Sequence, residues 1–97
     1  MYYDIRNVPY EYERLKECYE QSKWVEALSH YKKLMDNYEN ADNEYIFSNF
    51  NSPITIESLE VDENGKSAMV EHNYPSINEM VRCADKMYGK IKTKLDN

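Results

Sequence analysis

Apolar residues recur at helical spacing in the first part of the chain, alternate in the middle, and return to helical spacing at the end. In "PYEYERLKECYEQ", Pro9 is tolerated in a first helical turn. Tyr12, Leu15 and Tyr19 then follow at i, i+3 and i+7, along one helix face. In "SKWVEALSHYKKLMDNYEN", Trp24, Leu28, Tyr31, Met35 and Tyr38 advance by alternating steps of four and three. The two stripes are out of phase near Ser22, a residue suited to N-capping. The pattern predicts a helical hairpin over residues 9–21 and 23–39. One long helix with a phase slip is the alternative, since neither Gly nor Pro forces a break.

"ENADNE", residues 39–44, is a polar breaker, and "EYIFSNF" after it has the aromatic and β-branched content of a strand. "NSP" at 51–53 signals a turn. "ITIESLEVD" and "KSAMVEHNY" flank Asn64–Gly65, the strongest short hairpin signal, because both positions of such a turn need φ > 0. A two-residue loop there sets the register: Val61 opposite Ala68, Glu60 opposite Met69, Leu59 opposite Val70, Ser58 opposite Glu71. Cross-strand partners share a face. One face then holds Leu59, Val61, Ala68 and Val70 and packs on helices. The other holds Ser58, Glu60, Asp62, Ser67, Met69 and Glu71. Ile54 and Ile56 fall on this acidic side, unless a bulge near Glu57 returns them to the core.

"SINEMVRCADKMYGKIKTKLDN" is the clearest helix. Ser76 and Glu79 make a capping box after Pro75. Ile77, Met80, Val81, Ala84, Met87, Tyr88, Ile91 and Leu95 form one apolar stripe. The predicted order is α-α-β-β-β-α. The expected fold is α+β, a single domain over residues 1–97. In it the helical hairpin and the C-terminal helix pack on a small antiparallel three-stranded sheet.

The stretch "LKECYEQSKWVEALSHYKKLM", residues 15–35, resembles one tetratricopeptide-type repeat. The resemblance rests on Trp24, the Glu26–Ala27 pair and Tyr31. It departs from the family at Lys16, where a small residue is usual, and only one copy is present, whereas solenoids stack several. It implies a helical hairpin and no peptide-binding function.

Composition narrows the function. At 41% hydrophobic and 13% aromatic, the chain is too apolar to be disordered. Its ten tyrosines suit the rim of a small core or a binding surface. Two glycines leave no phosphate-cradling loop. No apolar run reaches membrane-spanning length, and "MYYDIRNVPY" has no secretory pattern, so a cytoplasmic location is expected. Cys18 and Cys83 are accordingly expected as free thiols. Charge is uneven. Residues 36–79 hold ten acids and one base, Lys66, whereas residues 80–97 hold five bases and two acids. Such asymmetry bears on partners and association rates rather than on fold.

Catalytic signatures are missing from the pattern. Cys18, His30, His72 and Cys83 are scattered, with no short-spaced pair of the kind zinc sites use. "DNE" and "DENG" fall short of a calcium loop. His72, opposite Glu57 in the expected register, reads as a cross-strand surface pair. Glu60 and Asp62 on a convex strand face offer no cleft to a substrate. No enzyme, cofactor or metal is expected. Arg82, Lys86, Lys90 and Lys94 run at i, i+4 along the last helix, and read as a solvated helix back rather than a nucleic-acid site.

The acids of the middle segment remain. Asp42, Glu44, Glu57, Glu60, Asp62, Glu63 and Glu71 would keep an exposed sheet soluble. They would also make a negative surface for a basic partner. Glu57, Glu60, Asp62, Glu63 and Glu71, with Met69 and Tyr74 as apolar anchors, are the expected partner-binding residues. A small acidic chain of this size and composition resembles phage-encoded inhibitors of host defence, the antirestriction, anti-CRISPR and DNA-mimic proteins. That resemblance implies an inhibitory contact with a basic, nucleic-acid-handling protein, no cofactor, and action in the host cytoplasm. A helical adaptor acting through Trp24, Tyr31 and Tyr38, or a homodimer, is the alternative.

Overall fold

In a computed structural model, residues 5–40 and 51–96 are described. They form α1 (Asn7–Glu20), α2 (Trp24–Asn40), β1 (Ile54–Val61), β2 (Ser67–Tyr74) and α3 (Ile77–Leu95), an α+β arrangement. The described sheet has two antiparallel strands rather than the expected three. The strand expected in "EYIFSNF" lies outside the described residues.

The helical hairpin is two helices, and the reason is backbone chemistry at residues 21–23. Ser22 adopts φ 59°. Its N–H donates to the Tyr19 carbonyl at 3.1 Å, and the Lys23 N–H donates to the Cys18 carbonyl at 2.9 Å. Those paired bonds are a Schellman stop, which answers the last carbonyls of α1. Ser22 therefore ends α1 as its left-handed residue and does not cap α2, contrary to the sequence expectation. Lys23 precedes α2 and accepts the Ala27 N–H at 2.8 Å. Across the turn Tyr19 and Trp24 meet edge to face, 5.6 Å between centroids.

The core lies among the three helices. Val8 and Leu15 of α1, Ala27 and Leu34 of α2, and Ile77, Met80, Ala84 and Ile91 of α3 are closed to solvent. Each large member contributes roughly 1.5–3 kcal/mol by leaving water. On α2 the innermost line is Ala27, Leu34 and Asn37, so the aromatic stripe read from the sequence is the flank of the helix rather than its centre. Trp24, Leu28, Tyr31, Met35 and Tyr38 pack half-buried around that line. Tyr31 stacks on Tyr88 at 4.4 Å and donates to Asp85 Oδ1 at 2.8 Å. Burial, and then the Asp85 bond, push the Tyr31 hydroxyl well above the usual tyrosine range.

A polar seam joins α1 to α2. His30 Nδ1 and Glu11 Oε2 lie 2.7 Å apart, and Asn7 donates to Asn37 Oδ1 at 3.2 Å. Asn37 in turn donates to the Lys33 carbonyl at 2.7 Å. These bonds satisfy Glu11 and Asn37, the buried polar residues of the core. The other end of the bundle is set by α3. Ser76 caps it by accepting the Glu79 N–H at 3.2 Å, which supplies one half of the expected capping box.

The β-hairpin differs from expectation by one residue of register. Observed partners are Ile54–Tyr74, Ile56–His72, Ser58–Val70, Glu60–Ala68, Glu57–Glu71, Leu59–Met69 and Val61–Ser67. The cause lies in the turn. Gly65 has φ 80°, but Asn64 does not have positive φ. The Gly65 N–H donates to the Asp62 carbonyl at 3.1 Å, and Asp62 N–H donates to the Lys66 carbonyl at 2.9 Å. This is a three-residue loop, a turn followed by a left-handed glycine bulge, and not the two-residue Asn-Gly loop. Asp62 enforces it, because its Oδ1 accepts from the N–H of Asn64 and of Lys66, each at 2.9 Å. The extra loop residue returns Ile54 and Ile56 to the core face, without any bulge at Glu57. Val70, His72 and Tyr74 share that face. Leu59 and Val61, expected to pack on helices, point outward.

Candidate functional site

The hairpin is an arm rooted at one end. Ile54 is buried, and Ile56 and Tyr74 pack half-buried against the core. The Tyr74 hydroxyl donates to Glu13 Oε2 at 2.7 Å, tying β2 to α1. Burial first, and then Glu13, push the Tyr74 hydroxyl up to about 12. Beyond the root exposure rises, and every residue from Leu59 to Met69 is exposed.

The outward face of the arm carries Thr55, Glu57, Leu59 and Val61 on β1 and Ser67, Met69, Glu71 and Asn73 on β2. Leu59 and Met69 stand directly opposite each other, 65% and 61% exposed, with Val61 at 66% beside them. Toward the root the next outward pair is Glu57 with Glu71, two like charges face to face. The arm therefore presents an apolar ridge behind a carboxylate pair.

The expected partner-binding residues do not form one face. Glu57, Glu71 and Met69 share the outward side. Glu63 lies in the turn. Asp62 holds the turn. Glu60 lies on the opposite side from Met69 and reaches His72 Nε2 at 3.4 Å, where Ser58 Oγ also meets the ring at 3.1 Å. His72 thus answers Glu60 and not Glu57, as the corrected register requires. Tyr74 is on the inward face and is part of the root, not an anchor beside Met69. Asp42 and Glu44 lie outside the described residues. Among the described residues, Glu57, Glu63 and Glu71 have no ion-pair partner.

Compared with models of protein families, with curated proteins and with solved structures, the chain matches none. Among the described residues no group of His, Cys, Asp and Glu is arranged to hold a metal ion, and no helix is long and apolar enough to cross a membrane. Cys18 and Cys83 are free thiols. A cleft of about 380 Å³ opens between α1 and the root of β2, lined by Tyr12, Glu13, Lys16, His72 and Tyr74 among others. His72 and Tyr74 are already engaged there by Glu60 and Glu13, and neither cysteine lines it.

Sequence reasoning missed Leu59 and Val61 as surface residues and the His30–Glu11 pair as a core contact. The first had a signal. β1 is apolar at Ile54 and Ile56 and again at Leu59 and Val61, which are opposite in parity, so one pair had to face solvent. The second had none, because His30 and Glu11 are far apart in sequence and ordinary in their local setting.

Proposed function

We propose that this chain is a non-enzymatic binding protein whose acidic hairpin docks on a basic, nucleic-acid-handling protein and inhibits it. The observation that carries this reading is the outward face of the arm. Leu59, Val61 and Met69 stand exposed together beside the carboxylates of Glu57 and Glu71, which have no ion-pair partner among the described residues. Three exposed apolar side chains on a projecting element gain by being covered, each by up to about 1.5–3 kcal/mol. The carboxylates select what covers them. A surface built to hold phosphates carries Lys and Arg at intervals, and two adjacent strands can offer carboxylates there. Inhibition follows from occupancy and needs no chemistry. The family of host-defence inhibitors encoded by phages, with its antirestriction, anti-CRISPR and DNA-mimic members, is the class this reading fits.

The rival, a helical adaptor acting through Trp24, Tyr31 and Tyr38, has less to stand on. Those side chains pack half-buried against the core, and Tyr31 is engaged by Tyr88 and Asp85.

The test is affinity capture from a bacterial lysate at low and high salt. Two variants accompany the native protein: Glu57→Lys with Glu71→Lys, and Leu59→Ser with Met69→Ser. Asp62 and Glu60 are left alone, because the turn and His72 depend on them. The reading predicts a nucleic-acid-handling protein that leaves at high salt, is lost to both variants, and is inhibited by the native chain in a nucleic-acid binding assay. A partner retained equally by both variants would refute it.

A further inference from the structure

A second surface of the molecule is the chemical complement of the arm. Between α1 and α3 runs a groove of about 280 Å³, walled by the half-buried Tyr12, Tyr19, Cys83 and Met87. Tyr12 closes toward Cys83; burial, and then that thiol, raise its hydroxyl above the usual tyrosine range. Lys16 from α1 and Lys86 from α3 stand exposed at the sides, and neither has an ion-pair partner among the described residues. Glu20 is the acid on its border. The exposed face of α3 extends the positive charge through Lys90 and Lys94.

We propose that this groove receives the hairpin of a second copy of the chain, giving a salt-sensitive homodimer. The proposal rests on the reading of the hairpin as a docking element. The arm offers apolar side chains beside acids, and the groove offers apolar walls beside lysines. Leu59 and Met69 would enter the groove, with Glu57 meeting Lys86 and Glu71 meeting Lys16. The chain's own arm does not fill the groove, since its ridge is more than half exposed and its root is tied to Glu13. Every copy has one arm and one groove, so a two-fold exchange uses both and closes the assembly. Association between exposed charges of this kind weakens once the Debye length falls below the contact distance.

The experiment is sedimentation velocity across a range of protein concentrations, at about 50 mM and about 500 mM salt. Four proteins are compared: native, Lys86→Glu, Glu57→Lys, and the two changes combined. Lys86 is preferred to Lys16, which also lines the cleft beside Glu71 of its own hairpin. Both positions are exposed, and circular dichroism checks that the fold is kept. The native chain should dimerise at low salt and dissociate at high salt. Each single reversal should raise the dissociation constant by roughly tenfold, and the combined swap should return it to within about threefold of native. A monomer at every concentration, a dimer indifferent to salt and to both reversals, or a swap that fails to rescue would overturn the proposal. Capture of a foreign basic partner is read on Lys86→Glu in parallel. Capture that persists there while the dimer is lost separates the two surfaces. A rescued dimer with no foreign partner would leave this inference standing and the proposed function without support.

Discussion

Replacing Asp62 by Ala removes the clamp of the arm's turn and leaves the helices untouched. The Asp62 carboxylate accepts two backbone N–H groups, from Asn64 and Lys66, each at 2.9 Å. Side-chain caps of backbone donors are worth about 0.5–2 kcal/mol, and in an exposed turn water recovers part of the loss. A two-stranded hairpin is marginal on its own, and among the described residues this one is fastened at its root. The expected loss is about 1–2 kcal/mol, felt as easier opening of the arm rather than as global unfolding. Amide hydrogen exchange reads this directly. Amides of β1 and β2 near the turn should exchange roughly 5–30 times faster in Asp62→Ala. Those of α1, α2 and α3 should be unchanged. Asp62→Asn keeps an acceptor oxygen and drops the charge, so its exchange should stay close to native. Equal acceleration in the helices would show that arm and bundle open as one unit. No acceleration anywhere would show that Asp62 does not hold the turn. Either result refutes the reasoning.

Three further outcomes follow from other parts of the fold. Ser22→Gly relieves a left-handed residue that costs about 1–2 kcal/mol, against about 0.5–1 kcal/mol of added chain entropy, so the melting temperature should rise by a few degrees in a thermal scan. Leu34→Ala empties a site closed to solvent and should lower urea-derived stability by about 2–5 kcal/mol. Tyr74 carries an alkaline signature, because its hydroxyl is pushed up to about 12 in the folded chain and ionises near 10 when unfolded. Its contribution is whole below about pH 10 and is lost as pH rises toward about 12, since the unfolded chain gives up the proton first. Tyr74→Phe should therefore lose less stability than native across that window, by under about 1 kcal/mol because solvent screens the half-buried hydroxyl. An unchanged alkaline slope in a pH series of denaturant titrations would refute it.

The helices were legible because their signals agreed. The phase slip at Ser22 marked the break, although the residue's role was the opposite of the one its type suggested. Serine is a good N-cap, yet the spare carbonyls of α1 called for a left-handed residue at that position, and Ser22 supplied it. On α2, large aromatics outweighed Ala27 in the periodicity, yet Ala27 is closed to solvent while the aromatics are half-buried. The hairpin existed where Asn64–Gly65 placed it, and its register did not follow from that dipeptide. Asp62 captured two donors and drew one more residue into the loop, and a one-residue change exchanges the two faces of a hairpin. The candidate site inherited that exchange. Its acids were identified by composition, but Leu59 and Val61 entered the site and Tyr74 left it only once the faces were known.

The facing pair Glu57 and Glu71 builds local frustration into the arm. Like charges directly opposite across a strand pair weaken the pairing by a few tenths of a kcal/mol to about 1 kcal/mol. That weakness sits between the anchored root and the clamped turn. Any surface that brings cations to those two carboxylates removes the repulsion and tightens the strands at the same time. Binding and ordering of the arm are then thermodynamically linked, so a ligand that occupies the ridge should also protect its amides. The free chain keeps the strands of its arm slightly loose, and any basic surface that covers Glu57 and Glu71 would supply the counter-charge that completes the hairpin.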